Sequence, residues 1–243
     1  MGLLEIGESD GGSNKNGSAK TIDMALYSLN RAYTTLSSLQ HKPKWNLSDT
    51  ASFDCMHYDG DAALDHLATK LHLQPGQHIL DIGSGFSATG RVLCSKYDVS
   101  VMGVELQREV HELAVMITER NEDAKVRKRQ AARYLKSGGK VYIEDFYRQK
   151  ELEALEQDKL QHIIACPYLP TRDVYTTDVE AAGFADMEFD DVSKHWTDLL
   201  TARAKQYRSC QDRDGDLEIF YDTVAKLFQG GNIGGVRLTA TRI

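Results

Sequence analysis

The strongest constraint on folding lies between His78 and Glu105. His78-Ile-Leu-Asp-Ile reads as a short apolar strand that runs into Gly83-Ser-Gly85, and a helix through Cys94 leads to a second strand over Val99 to Val104. Strand, glycine loop, helix and strand form a βαβ unit. Gly83 permits the tight turn and Gly85 lets the backbone approach a ligand with no Cβ in the way. The following helix N-terminus aims free N–H groups at the same place. A chain built on such a unit is an α/β protein.

Twenty residues after Gly85, Glu105 ends the second strand, where a carboxylate can accept both hydroxyls of an adenosine ribose. The loop also satisfies GxGxxA through Ala88, so a nicotinamide dinucleotide is a competing ligand. Asp81 separates the two. A carboxylate two residues before the first glycine faces a pyrophosphate unfavourably, but it attracts the ammonium of a methionine moiety directly or through water. The expected cofactor is S-adenosyl-L-methionine, held by Asp81, Gly83, Ser84, Gly85, Glu105 and Leu106.

Other elements follow from periodicity. Ile22, Leu26, Leu29, Tyr33 and Leu36 recur at helical spacing, as do Leu64, Leu67, Ala68 and Leu71. Pro75-Gly76 marks a turn. A helix is expected from Arg108 to about Arg120, and strands over Val141 to Phe146, Phe184 to Val192 and Gly235 to Thr241. Alternation of this kind implies a Rossmann-like, doubly wound, mainly parallel sheet whose last two strands can pair antiparallel. Residues 1–20, rich in Gly, Ser and Asn, read as a disordered tail. Residues 21–76 read as a helical segment packed on the core, and 77–243 as the Rossmann-like domain.

A formal charge of −7 argues against a nucleic-acid footprint and favours small-molecule partners. No apolar run reaches the length of a membrane helix and no signal design opens the chain, so a cytoplasmic protein without membrane association is expected. The four cysteines, Cys55, Cys94, Cys166 and Cys210, are too dispersed for a disulfide framework. Asp212-Arg-Asp-Gly-Asp216 mimics the start of a calcium loop, but Leu217 and Thr223 stand where Gly and Glu belong, so no metal is expected. The sequence leaves a homo-oligomer open.

Four segments resemble the small-molecule methyltransferases of the sarcosine/dimethylglycine N-methyltransferase type. They are Phe53 to Gly60, Leu80 to Arg91, Ala132 to Phe146 and Gly230 to Arg237, supported by Pro167-Tyr-Leu-Pro170 and Lys194-His-Trp196. The resemblance implies a class I methyltransferase fold and an amine substrate. It also implies that the segment holding His57 and Tyr58 lies against the cofactor, with Tyr168 and Trp196 as candidate pocket walls. Methyl transfer from a sulfonium is an in-line displacement that depends on positioning, and aromatic faces favour both the sulfonium and a methylated ammonium. The resemblance names no catalytic residue.

One departure stands out. After Arg120 the fold should supply two further strands, yet only Asn121 to Gln130, most of them charged, precede Ala131. A block of roughly 40 residues is missing relative to βαβ spacing. The run Lys125 to Arg129 reads as a solvated helix face. A single helix from about Arg108 to Lys136 would bridge the gap and place Val141 to Phe146 beside the first strand, in the order 2-1-5-7-6 of an intact sheet. Loss of the adenine wall leaves a methyltransferase-like binding or regulatory subunit as the alternative function.

Overall fold

The computed structural model describes residues 28–54, 57–121 and 136–243. Helix α1 (Leu29–Ser38) begins where the Ser28 hydroxyl accepts from the Arg31 amide. Helices α2 (Leu47–Asp54) and α3 (Asp61–Leu71) follow, and α3 stops at His72 in the left-handed region. In the turn at Pro75-Gly76, the Gly76 amide donates to the Asp98 carbonyl at 2.8 Å and so aligns the next two strands.

Strands β1 (His78–Ile82) and β2 (Ser100–Val104) pair in parallel from His78 opposite Ser100 to Ile82 opposite Val104. Helix α4 (Ala88–Tyr97) connects them and α5 (Arg108–Arg120) follows. This is the βαβ unit that the glycine loop demands. Leu64 of α3, Leu93 and Cys94 of α4, and Val99 and Val101 form one apolar cluster. Leu36, Trp45, Phe53, Phe86, Val110 and Ile117 form another beneath α1 and α5.

A second sheet has the order β3-β5-β4 and is antiparallel, with β3 Lys140–Arg148, β4 Phe184–Asp191 and β5 Ile233–Arg242. Helices α6 (Ala154–His162) and α7 (Arg172–Ala181) lie between β3 and β4 in sequence. Helices α8 (Ser193–Arg208) and α9 (Gly215–Gly230) lie between β4 and β5. Trp196, Leu200, Phe220, Val224 and Phe228 fill the core they share. Gly235 makes this packing possible, because a Cβ there would stand 2.1 Å from the Trp196 indole. The acidic motif at 212–216 has a structural use: Asp214 caps α9 by accepting from the Asp216 and Leu217 amides.

Two expectations about the gap are corrected. Helix α5 does not run on to Lys136. It ends at Arg120, because Asn121 is extended (φ −81°, ψ 125°) and bridges Trp45, whose amide donates to the Arg120 carbonyl at 2.8 Å. Nor does β3 lie beside β1. The order 2-1-5-7-6 is divided into β1-β2 and β3-β5-β4, and among the described residues β1 has no strand on its other edge. Side chains of 57–71 tie the sheets instead: His57 reaches Glu144, His66 meets the Tyr142 ring, and Lys70 pairs with Glu188 at 2.7 Å and Asp190 at 3.2 Å. Leu80 and Ile82, which a continuous sheet would flank, remain 45% and 58% exposed. The expected tail, the start of the first helix and the run Lys125 to Arg129 lie outside the described residues.

Arg91, fully buried, pairs with the buried Asp54 and donates to the Phe86 carbonyl at 2.7 Å and the Thr118 hydroxyl at 3.2 Å. One side chain thereby joins α2, the glycine loop, α4 and α5. Burial pushes the Asp54 carboxyl up and the Arg91 guanidinium down, against their mutual attraction. Arg91→Ala should cost about 3–5 kcal/mol in urea unfolding, because it strands a buried charge. Replacing both partners, Arg91→Met with Asp54→Leu, should recover most of that loss.

Candidate active site

The loop after β1 is shaped by two left-handed glycines, Gly83 (φ 77°) and Gly85 (φ 52°), a region where a side chain would be strained. The Gly83 and Ser84 amides donate to the Val104 carbonyl at 2.8 and 3.1 Å, which fixes the loop against the end of β2. Glu105 then accepts from the Gly85 amide at 2.9 Å through Oε2 and from the Gln107 amide at 2.9 Å through Oε1. Each carboxylate oxygen can accept a further hydrogen bond, so ligand hydroxyls can add to this set. Leu106, beside it, is almost fully exposed and offers an apolar face.

Asp81 is the unusual member. Its Oδ2 is buried and has no hydrogen-bond partner among the described residues. Burial raises its carboxyl above the usual range; the charge of His57 opposes this and that of Glu105 adds to it. A buried carboxylate oxygen without a donor is costly, and a bound cation removes that cost.

Beside this loop lies a polar cluster. His57 Nδ1 stands 3.0 Å from Glu144 Oε2, and its Nε2 stands 2.8 Å from the Thr89 hydroxyl in the first turn of α4. Glu144 of β3 lies directly opposite Arg237 of β5, whose Nε donates to Oε1 at 2.7 Å, and the Tyr142 hydroxyl donates to the same oxygen at 3.0 Å. Arg237 also donates to Asp59 at 2.6 Å, and Asp59 meets His195 Nε2 at 2.7 Å. Tyr58 stacks on Phe146 (6.0 Å, 7°) and meets Trp196 edge-on at 4.8 Å.

The structure therefore brings Asp81, Gly83, Ser84, Gly85, Glu105 and Leu106 together around the ends of β1 and β2 and, through Thr89, sets His57 next to them, whereas Tyr58 packs with Phe146 and Trp196. Trp196 stands behind Tyr58, only 2% exposed, as part of the core. Tyr168 is 65% exposed on the loop between α6 and α7 and shares no ring contact with the Tyr58 cluster among the described residues. Sequence reading passed over Glu144, Arg237, Thr89 and Asp59. Charges in the middle of the apolar runs Val141–Phe146 and Gly235–Thr241 were the available signal, but only the β3–β5 register makes them a pair.

Burial pushes the Glu144 carboxyl upward, yet hydrogen bonds and charge from His57 and Arg237 outweigh it and bring it down to about 2. A carboxyl lowered on folding contributes stability above its unfolded value, near 4.5, and loses it as pH falls toward 2. Unfolding free energy measured between pH 5 and 2 should therefore fall more steeply for the wild type than for Glu144→Gln.

Residues 46–136 match the protein family described as mycolic acid cyclopropane synthetase. Cyclopropane mycolic acid synthase MmaA2 of Mycobacterium tuberculosis (strain ATCC 25177 / H37Ra) is 37% identical over 71 residues, 26% of this chain and 25% of that protein. Cyclopropane-fatty-acyl-phospholipid synthase of Escherichia coli (strain K12) is 42% identical over 53 residues, 22% of this chain and 14% of that protein. The chain thus spans about a quarter or less of the length of these curated relatives. Among solved structures, Haemonchus contortus phosphoethanolamine N-methyltransferase 2 in complex with S-adenosyl-L-methionine superposes with a TM-score of 0.65 at 17% identity, over 75% of this chain and 53% of that one. Mycolic acid cyclopropane synthase CmaA1 complexed with S-adenosylhomocysteine gives 0.57 at 18%, over 75% and 84%. The chain has the α/β fold of these methyltransferase structures, with a partial sheet.

Proposed function

We propose that this chain binds S-adenosyl-L-methionine and transfers its methyl group to a small molecule. The observation that carries this reading is the buried, unpartnered oxygen of Asp81 at the mouth of a left-handed glycine loop. The residues present fit the cofactor: Asp81 would take the ammonium, the loop backbone from Gly83 to Gly85 the methionine end, Glu105 the ribose hydroxyls and Leu106 the adenine edge. Bound there, the cofactor supplies a methyl carbon on a sulfonium.

The acceptor we favour is the nitrogen of a glycine-derived amine of the sarcosine or dimethylglycine type. Asp59 and Glu144 share the Arg237 guanidinium between them, so this cluster holds one carboxylate more than it holds guanidinium, a bias suited to an amine cation. The family match ends at residue 136, so it supports the cofactor half and leaves the acceptor half to the chemistry of β3, β5 and α8. A second reading, a methyltransferase-like binding subunit, is favoured by the edge of β1 that carries no strand among the described residues and by the exposure of Leu80 and Ile82.

Isothermal titration of the protein with S-adenosyl-L-methionine should give single-site binding. Asp81→Asn should weaken it roughly 10- to 100-fold, the worth of a hydrogen bond to a charged group, while Tyr168→Ala should leave it unchanged. A flat titration at millimolar ligand rejects the cofactor assignment. Binding without methyl transfer to sarcosine favours the subunit reading.

A further inference from the structure

Thr89, His57 and Glu144 form a hydroxyl–imidazole–carboxylate line that nothing in the cofactor assignment requires. The Glu144 carboxylate can only accept, so in the neutral imidazole Nδ1 carries the proton and Nε2 is left as the acceptor, taken up by the Thr89 hydroxyl at 2.8 Å. Glu144 is itself held, with Arg237 at 2.7 Å and Tyr142 at 3.0 Å on its other oxygen. The carboxylate is thus fixed on both sides, and it stays ionised because His57 and Arg237 outweigh its burial. The arrangement also has room for one more proton. An imidazolium would donate to both neighbours, and the Thr89 hydroxyl would only need to turn from donor to acceptor. The His57 side chain is partly exposed rather than sealed, and it stands near enough to Asp81, the residue at the methionine end of the site, for an imidazolium charge to act there.

We propose that His57 is the general base of the reaction, with Glu144 as the positioning residue that fixes its tautomer; this rests on the methyltransferase reading above. An amine that arrives as its ammonium cannot attack until it has shed a proton. When the acceptor binds, its N–H displaces the Thr89 hydroxyl from Nε2. The ammonium N–H bond gives its proton to Nε2, and the imidazolium formed is stabilised by the Glu144 carboxylate 3.0 Å away. The nitrogen lone pair so freed would bond to the methyl carbon of the bound cofactor, whose carbon–sulfur bond would break with its electron pair going to sulfur. The acceptor class follows: a nitrogen that arrives protonated, such as the ammonium of sarcosine or dimethylglycine, rather than a carbon–carbon double bond.

The test uses the whole chain with histidine labelled by nitrogen-15. The His57 signals should report the Nδ1–H tautomer alone, and Glu144→Gln, with folding checked by its melting curve, should convert them to a mixture. In parallel, S-adenosyl-L-methionine affinity and methyl transfer to sarcosine are measured for the wild type and His57→Gln. Cofactor affinity should stay within 3-fold while kcat falls 100-fold or more, the scale of a lost general base. Glu144→Asp should restore more rate than Glu144→Gln. An Nε2–H tautomer in the wild type, a His57→Gln variant that keeps a third of kcat, or cofactor binding without transfer to sarcosine would overturn the assignment. Absence of cofactor binding by the wild type would instead overturn the methyltransferase reading beneath it.

Discussion

The Glu144–Arg237 pair and its contact with His57 hold together what the backbone leaves apart. No ladder of hydrogen bonds joins β1-β2 to β3-β5-β4 among the described residues, so the two sheets meet through side chains. The short stretch from His57 to Lys70 supplies these, with His57 on Glu144, Asp59 on Arg237 and Lys70 on the acidic face of β4. Partly buried, charge-assisted hydrogen bonds of this kind are directional, and they fix orientation as apolar contact alone does not. The same stretch that closes the fold therefore places an imidazole at the boundary between the glycine loop and the second sheet.

Cofactor chemistry and fold integrity meet at the other face of this boundary. The glycine loop is pinned by Val104, Glu105 and, through Arg91, by Asp54, so its left-handed turn is supported from three directions. Against that supported frame, one buried carboxylate oxygen, on Asp81, stays without a donor among the described residues. Functional sites are where a protein tolerates such an imbalance, and a ligand cation is its natural remedy.

The βαβ unit was legible because its signals are local: apolar runs of the right length, two glycines, and a carboxylate at the next strand end. Strands β3, β4 and β5 and helices α3 and α5 were read nearly to their ends for the same reason. The helix bridging the gap was misread, because nothing local warned that Asn121 would pair with Trp45, a partner 76 positions away. The strand order across the gap failed likewise, since whether β3 pairs with β1 depends on what fills the space between them. Glu144, Arg237, Thr89 and Asp59 were invisible as a group because cross-strand register and the path of residues 57–60 bring them together, and neither has a sequence period.

The central claim, that the loop from Asp81 to Gly85 and the turn at Glu105 form the cofactor site, is tested most directly by amide hydrogen exchange with and without S-adenosylhomocysteine. Protection should appear over residues 81–86 and 105–107 and leave the exposed loop around Tyr168 unchanged. Exchange at 81–86 and 105–107 that is indifferent to saturating ligand would contradict it.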